Sequence, residues 1–563
     1  MSFSWTALAS SPTLSTVPCY NDLQCARLTV PLQYSDPSAG EAQIALLIAP
    51  STLSADDPEY RGPLLLNPGG PASSGVEYLL ELGTYFREVI GPQYDLVGFD
   101  PRGVGATTPL SAFLDSPVEA LDLLATYPLS LNESASSFGR AYALGRIMSD
   151  LAEQRNKLAL ESVSTPAVAM DMLAISRAFG FEKLNYWGVS YGSVLGATFA
   201  AMFPDRVGRV IIDGIVNSHE WYAGIYDSWL GHTEDALTSY YDACVAAGPD
   251  LCALYANSSS AIRSRVTSLL DTLHTAPVPA SHNASNLGVV DAGLVLNRLF
   301  QTLFEPFSLG QSFAAALVAL EAGNPLPVYE GTIASVIGGL DTCDAIKTDY
   351  FTAGFIDTFA PIACGDSVGR ARQTLEDARA EYDRLVGTTG FWSVLYGLFR
   401  APCSTWNVTA KDTFNGTFTT NTSEPILVIS NTLDPSTPID SGRNMSAGFT
   451  GSVLLEQNST GHTSLSGFST CTALAIRAYF ASGTLPAPHT VCQPDTRIFE
   501  SQGNSSAAGG VTFPAGSVLN RRETAGLERP AAFEAAVRAV RDSRFLSRHA
   551  FMGRVPRGAG WRA

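Results

Sequence analysis

The residues best suited to do chemistry lie in Gly188-Val189-Ser190-Tyr191-Gly192, a G-x-S-x-G pentapeptide that follows the short run Leu184-Asn185-Tyr186-Trp187. Glycines two before and two after Ser190 suit a strand-to-helix turn too tight for a Cβ at either position, a turn that lifts the serine hydroxyl into the open. The small residues Gly196, Ala197, Ala200 and Ala201 that come next suit a helix lying close on a sheet, its N-terminal amides turned toward developing negative charge. The pentapeptide recurs in unrelated proteins. Its position between a strand pattern and a small-residue helix is what makes Ser190 the candidate nucleophile.

A serine hydroxyl needs a base within hydrogen-bond reach, and the base needs an orienting acid. Of the seven histidines, His462 stands in the loop Gln457 to Thr463 behind the last core-strand pattern, the place of the base in a serine, acid, histidine order. His489 adjoins a cysteine expected to be bridged, and His549 sits in a basic tail. Asp434, at the end of the preceding strand pattern, is the candidate acid, with Asp440 as its rival. The oxyanion hole requires two amides. Tyr191 supplies one, and Gly70 is preferred for the other because its successor, Pro71, has no N–H to give. Asp213 ends a strand too early in the order to be the acid and is read as loop support. Asp100 and Arg102 are read as a buried pair bracing a loop.

The elements that must position these groups follow from periodicity. Cys25 to Leu32 and Ala42 to Ile48 read as an opening hairpin. Pro63 to Asn67 and Tyr94 to Asp100 are short buried-strand patterns, each ending in a glycine-rich loop. Residues 165–180 read as a helix with Thr165-Pro166 as cap and first turn and Gly180 as stop, leading into the Ser190 strand. Val207 to Asp213 is the next strand, and helices alternating with strands imply a mostly parallel α/β sheet. From about 216 to 420 the strand rhythm gives way to helical stretches such as 261–275 and 293–307, read as an inserted helical cap. Strands resume at Pro425 to Ser430 and Ser452 to Glu456. The predicted organisation is an N-terminal core over 15–215, a cap over 216–420, a C-terminal core over 421–500 and a tail over 501–563. From Arg521 that tail holds ten arginines against four acidic residues.

Composition bounds the function. The 563 residues are 45% hydrophobic and 16% charged, with a net charge of -18, which argues against a phosphate backbone as partner. No run reads as a membrane span. None of the nine cysteines falls in a CxxC, so no metal or cofactor is expected. Close spacing suggests the pairs Cys19–Cys25, Cys244–Cys252, Cys364–Cys403 and Cys471–Cys492, leaving Cys343 over. Nine N-x-S/T sequons, at Asn132, Asn257, Asn283, Asn407, Asn415, Asn421, Asn444, Asn458 and Asn504, point with the disulfides to an extracellular glycoprotein. Residues 1–20 carry neither a basic nor an apolar leader region, so either export is unconventional or a leader encoded upstream is expected.

Taken together, Asn67-Pro68-Gly69-Gly70-Pro71, Phe99 to Gly105, Gly188 to Gly192, Asp434-Pro435 and Gly461-His462-Thr463 resemble the secreted tripeptidyl aminopeptidase-like serine hydrolases, relatives of prolyl aminopeptidase. The resemblance spans about residues 15–500. It implies an α/β-hydrolase fold with a helical cap and a triad of Ser190, Asp434 and His462. Members read N-P-G-G-P-G where this chain has Ala72 in the last place. The expected activity is removal of short peptides from a free N-terminus through an acyl-enzyme, with an esterase or tailoring hydrolase of a small metabolite as the alternative. An aminopeptidase must read an ammonium. Glu220, Asp227, Glu234 and Asp235, at the start of the cap, are the candidate readers.

Overall fold

Apolar runs with no polar alternation become strands covered on both faces. Every residue of β4 (Pro63–Asn67) is buried, as is nearly all of β6 (Leu184–Val189). The computed structural model describes residues 3–108, 130–282, 286–336, 355–367, 372–390 and 396–500, with Trp392 and single positions between 119 and 128. The basic tail, Cys343, Asn283 and Asn504 lie outside the described residues.

The remaining strands of the main sheet are β1 (Val17–Cys19), β2 (Leu23–Pro31), β3 (Glu41–Ala49), β5 (Asp95–Phe99) and β7 (Val207–Asp213), then β10 (Leu427–Leu433), β11 (Val453–Thr460) and β12 (Val491–Cys492). They form one ten-stranded sheet in the order β1-β2-β3-β5-β4-β6-β7-β10-β11-β12. The β1, β2 and β3 pairings are antiparallel, and every pairing from β5 onward is parallel. Asn67, Ser190, Asp213, Asp434 and His462 therefore all emerge at or just beyond the carboxyl ends of parallel strands, where such sheets place their ligand crevice.

Helices α1 (Gly75–Ile90), α2 (Ser137–Leu160), α3 (Thr165–Ala178) and α4 (Tyr191–Met202) belong to the first half of the core. The cap of α3 is Ser164, whose side chain accepts from the Ala167 amide, one residue before the predicted Thr165. The Thr165 hydroxyl is turned to other partners, described below. The stretch 137–178 has the length and hydropathy of a membrane span, which the sequence reading did not find, yet 72% of its apolar window is buried in the fold. It comprises two core helices, and burial accounts for its hydropathy.

Between β7 and β10 come α5 (Ser218–Ala223), α6 (Thr233–Ala247), α7 (Ser259–Thr275), β8 (Val278–His282), β9 (Asn286–Val290), α8 (Ala292–Phe304), α9 (Pro306–Glu321), α10 (Leu326–Val336), α11 (Phe355–Asp366), α12 (Leu375–Thr389) and α13 (Tyr396–Thr405). The predicted helix 293–307 stops at Phe304 because Pro306 starts a new one; proline has no N–H and suits a first turn. The β8/β9 hairpin has no counterpart in the helical reading. After β10 come α14 (Ile439–Gly448) and α15 (Thr470–Ser482). Disulfides join Cys19 to Cys25, Cys244 to Cys252, Cys364 to Cys403 and Cys471 to Cys492, the pairs that spacing suggested.

Candidate active site

Ser190 has φ 59° and ψ -124°, a backbone conformation that a side chain strains. Its surroundings hold it there. The Ser190 amide donates to the Asp213 carbonyl at 2.8 Å. A Cβ on Gly188 would stand 2.2 Å from the Tyr186 hydroxyl, and one on Gly192 would stand 2.9 Å from Asn67 Oδ1. Both glycines are thus required by close approach, and Ser190 stands at the N-terminus of α4 with its hydroxyl toward a pocket.

The glycine loop after β4 rests on this turn. A Cβ on Gly69 (φ 89°) would meet Ser190 Cβ at 2.8 Å and the Tyr191 nitrogen at 3.1 Å, so the loop lies directly beside the amide that follows the serine. Gly70 (φ 104°) and Tyr191 both line the pocket. Ala72 is not among the side-chain-bearing residues with positive φ, so alanine in place of glycine is accommodated there.

His462 is buried, and its Nδ1 lies 3.0 Å from each carboxylate oxygen of Asp434. Asp434 also accepts from the amides of Ser436 and Thr437 at 2.9 Å and of Thr463 at 2.8 Å. Burial pushes the Asp434 carboxyl up, but the neighbouring His462 and these donors outweigh it and hold it below the ordinary carboxylate value. With Nδ1 engaged, Nε2 is the nitrogen of His462 left for chemistry. Thr463, β-branched, is held at φ 62°, its carbonyl accepting from Asn431 Nδ2 at 2.6 Å. From the cap, the Phe304 carbonyl accepts the His462 amide at 2.8 Å and the Phe304 ring lies 4.6 Å from the imidazole.

Asp213 supports this loop. Its carboxylate accepts from the Ser464 amide at 2.9 Å and the Ser464 hydroxyl at 2.5 Å; burial pushes it up to about 6. Asp100 and Arg102 are both buried, but they do not pair with each other as predicted. Asp100 accepts from the Ser74 hydroxyl and the Val76 and Ala106 amides, while Arg102 forms a two-pronged pair with Asp171 at 2.6 and 2.7 Å. The planar guanidinium reaches a carboxylate on α3 that matches its geometry, and Asp100 is already filled by the Ser74 hydroxyl and two backbone amides. Asp440 is exposed and faces His232 and Arg443; His489 is exposed in the loop before β12.

Ser190, Tyr191, Gly70 and His462 open into one pocket, walled by Ile215, Val216, Trp221, Ile225, Tyr226, Trp229, Phe304 and Phe359. Among the described residues, Glu220 is the one carboxylate in its lining. Its Oε2 accepts from the Ser228 amide and hydroxyl at 3.1 and 2.9 Å. The other three candidate readers are exposed and lie outside the lining: Asp227, in the turn after α5, pairs with Arg384, and at the start of α6 Glu234 pairs with Arg263 and Asp235 with His232. The sequence reading missed the aromatic walls and a buried carboxylate behind them, Asp366. No local pattern marks these residues, because they come together only when the cap folds over the sheet.

Comparison with known proteins agrees with the fold. Residues 62–238 match the family described as alpha/beta hydrolase fold, and residues 391–492 match the one described as TAP-like protein. Tripeptidyl aminopeptidase of Streptomyces lividans is 26% identical over 84% of this chain and 84% of its own. Serine protease Hip1 of Mycobacterium tuberculosis is 28% identical over 87% of this chain and 90% of its own. Carboxylesterase B of the same species is 27% identical over 84% and 86%. With a mostly parallel sheet, a serine on a strained strand-to-helix turn and these matches, the chain has the α/β-hydrolase fold, and its residues 391–492 are similar to TAP-like proteins.

Proposed function

We propose that the protein is a serine exopeptidase that removes short peptides from a free N-terminus. The observation that carries this reading is that Ser190, His462 and Glu220 line one pocket whose walls are otherwise largely apolar and aromatic. In the proposed reaction, Ser190 Oγ attacks the scissile carbonyl and passes its proton to His462 Nε2. Asp434 holds the imidazole orientation and stabilises the imidazolium. The Gly70 and Tyr191 amides receive the oxyanion. Collapse breaks the C–N bond, and the leaving amine takes the proton from His462. Water then releases the acyl group through the same base. The peptide's ammonium is read by Glu220, whose carboxylate is already oriented by Ser228.

A second reading is favoured by one observation, the similarity to a carboxylesterase: the same groups would hydrolyse an ester of a small apolar acid. Rates on free and N-acetylated tripeptidyl arylamides and on aryl esters separate the two. A charge-assisted bond to a desolvated ammonium contributes about 1.5–3 kcal/mol, so the free amine should be preferred roughly tenfold to a hundredfold. Glu220→Gln should erase that preference through KM. Equal cleavage of both arylamides by the unaltered enzyme, with esters faster than either, would favour the esterase. We also place the protein outside the cell. Four disulfides suit an oxidising compartment, and the seven sequon asparagines among the described residues are all exposed.

A further inference from the structure

One buried carboxylate is unused by the proposed chemistry and yet joins the two ends of the pocket. Asp366 closes α11 in the cap and is 2% exposed. One oxygen accepts the Thr165 amide at 2.9 Å. The other accepts the Thr165 hydroxyl at 2.5 Å and Trp221 Nε1 at 2.9 Å. Thr165 Oγ1 in turn lies 2.6 Å from the Tyr191 hydroxyl, and the Tyr191 and Trp221 rings stand 5.2 Å apart.

The proton count gives this network a direction. An ionised carboxylate only accepts, so Thr165 spends its one hydroxyl proton on Asp366, and Tyr191 must donate to Thr165. From one point the cap thus fixes Tyr191, the residue after the serine, and Trp221, the neighbour of Glu220 on α5. We propose that Asp366 is a positioning residue for substrate: it sets the reacting end of the pocket through Thr165 and Tyr191 and the amine-reading end through Trp221. The amine half of this assignment rests on the exopeptidase reading; the Tyr191 half does not.

A mere tether between cap and core would change how much enzyme is folded, not how each folded molecule works. The test therefore normalises rates to serines titrated with a fluorophosphonate. Asp366→Asn puts an amide N–H against existing donors. Per titrated serine it should lower kcat roughly tenfold on arylamides and aryl esters alike, and raise KM for the free-amine substrate by a similar factor. Trp221→Phe should reproduce the KM change alone and Thr165→Val the kcat change alone. Adding Trp221→Phe to Asp366→Asn should raise KM no further, the non-additivity expected of partners in one network. Unaltered kcat and KM in Asp366→Asn, or additive effects in the double variant, overturn the proposal. If Asp366→Asn yields no folded enzyme, the two partner variants decide, and wild-type constants in both overturn it. Should the unaltered enzyme fail to prefer the free amine, the exopeptidase reading fails separately. The fall in kcat on aryl esters then still decides the Tyr191 half.

Discussion

The carboxyl ends of the strands and the cap above them are built differently. At the strand ends, functional side chains are fixed by donors from their own or adjoining loops. Asp434 is held by amides two, three and twenty-nine residues on. The glycine loop and the Ser190 turn interlock through positions where no Cβ fits. In the cap, the pocket wall is held by pairs far apart in the chain: Trp221 by Asp366, 145 residues away, and Trp229 by Ser436, 207 residues away. On the proposed function, reactivity belongs to the carboxyl ends of the strands and discrimination to the cap. Damage to the first should abolish turnover, and damage to the second should redistribute it among substrates.

The largest expected effect tests the strand ends. Ser190→Ala or His462→Ala should lower kcat by at least about 10⁴-fold while leaving the thermal transition in place, and combining them should add little because the groups act as a unit. Near-normal kcat in His462→Ala would move the base elsewhere and break the comparison. Asp434→Asn should fall in the same range, through the wrong imidazole tautomer.

A stability effect without a catalytic one comes next. Asp171→Asn takes the charge partner from the Arg102 guanidinium, buried at 0% exposure, and should destabilise the fold by about 3–5 kcal/mol in denaturant titration. The kinetics of the surviving folded enzyme should not change. If kcat per titrated serine fell as well, the boundary between bracing and chemistry would have to be redrawn. Asp213→Asn should act on both, weakening one of the two Ser464 bonds and lowering kcat several-fold with KM unaltered, because it supports the loop of His462 and touches no substrate.

The smallest expected effect is on pH. Burial pushes Asp100, Asp213 and Asp366 each from 3.8 up to about 6. Between those values the folded state binds more protons than the unfolded one, so their contribution is fully present below about 3.8 and is lost as pH rises through about 6. Asp434 acts oppositely, its contribution eroding only below the unfolded carboxylate value. Tm should therefore be a few degrees higher at pH 5 than at pH 7. A Tm that falls between pH 7 and pH 5 would count against buried, unpaired carboxylates in this fold.

Along the chain, what can be read is what short contiguous stretches encode. Glycines flanking Ser190 announce a tight turn because no Cβ fits there, and apolar runs announce buried parallel strands. Chain order alone put Asp434 ahead of His462, and close spacing suggested four disulfides. The tertiary structure decided what depends on distant segments meeting. It paired Arg102 with Asp171 instead of Asp100, and it moved the cap of α3 to Ser164 so that Thr165 could face Asp366. Of four similar acidic residues it left Glu220 alone on the pocket wall. The physical reason is range: steric fit and periodicity act over a few residues and can be read along the chain. A carboxylate's partners are whatever donors the fold brings within reach, and for Asp366 in the cap those donors lie more than a hundred residues away.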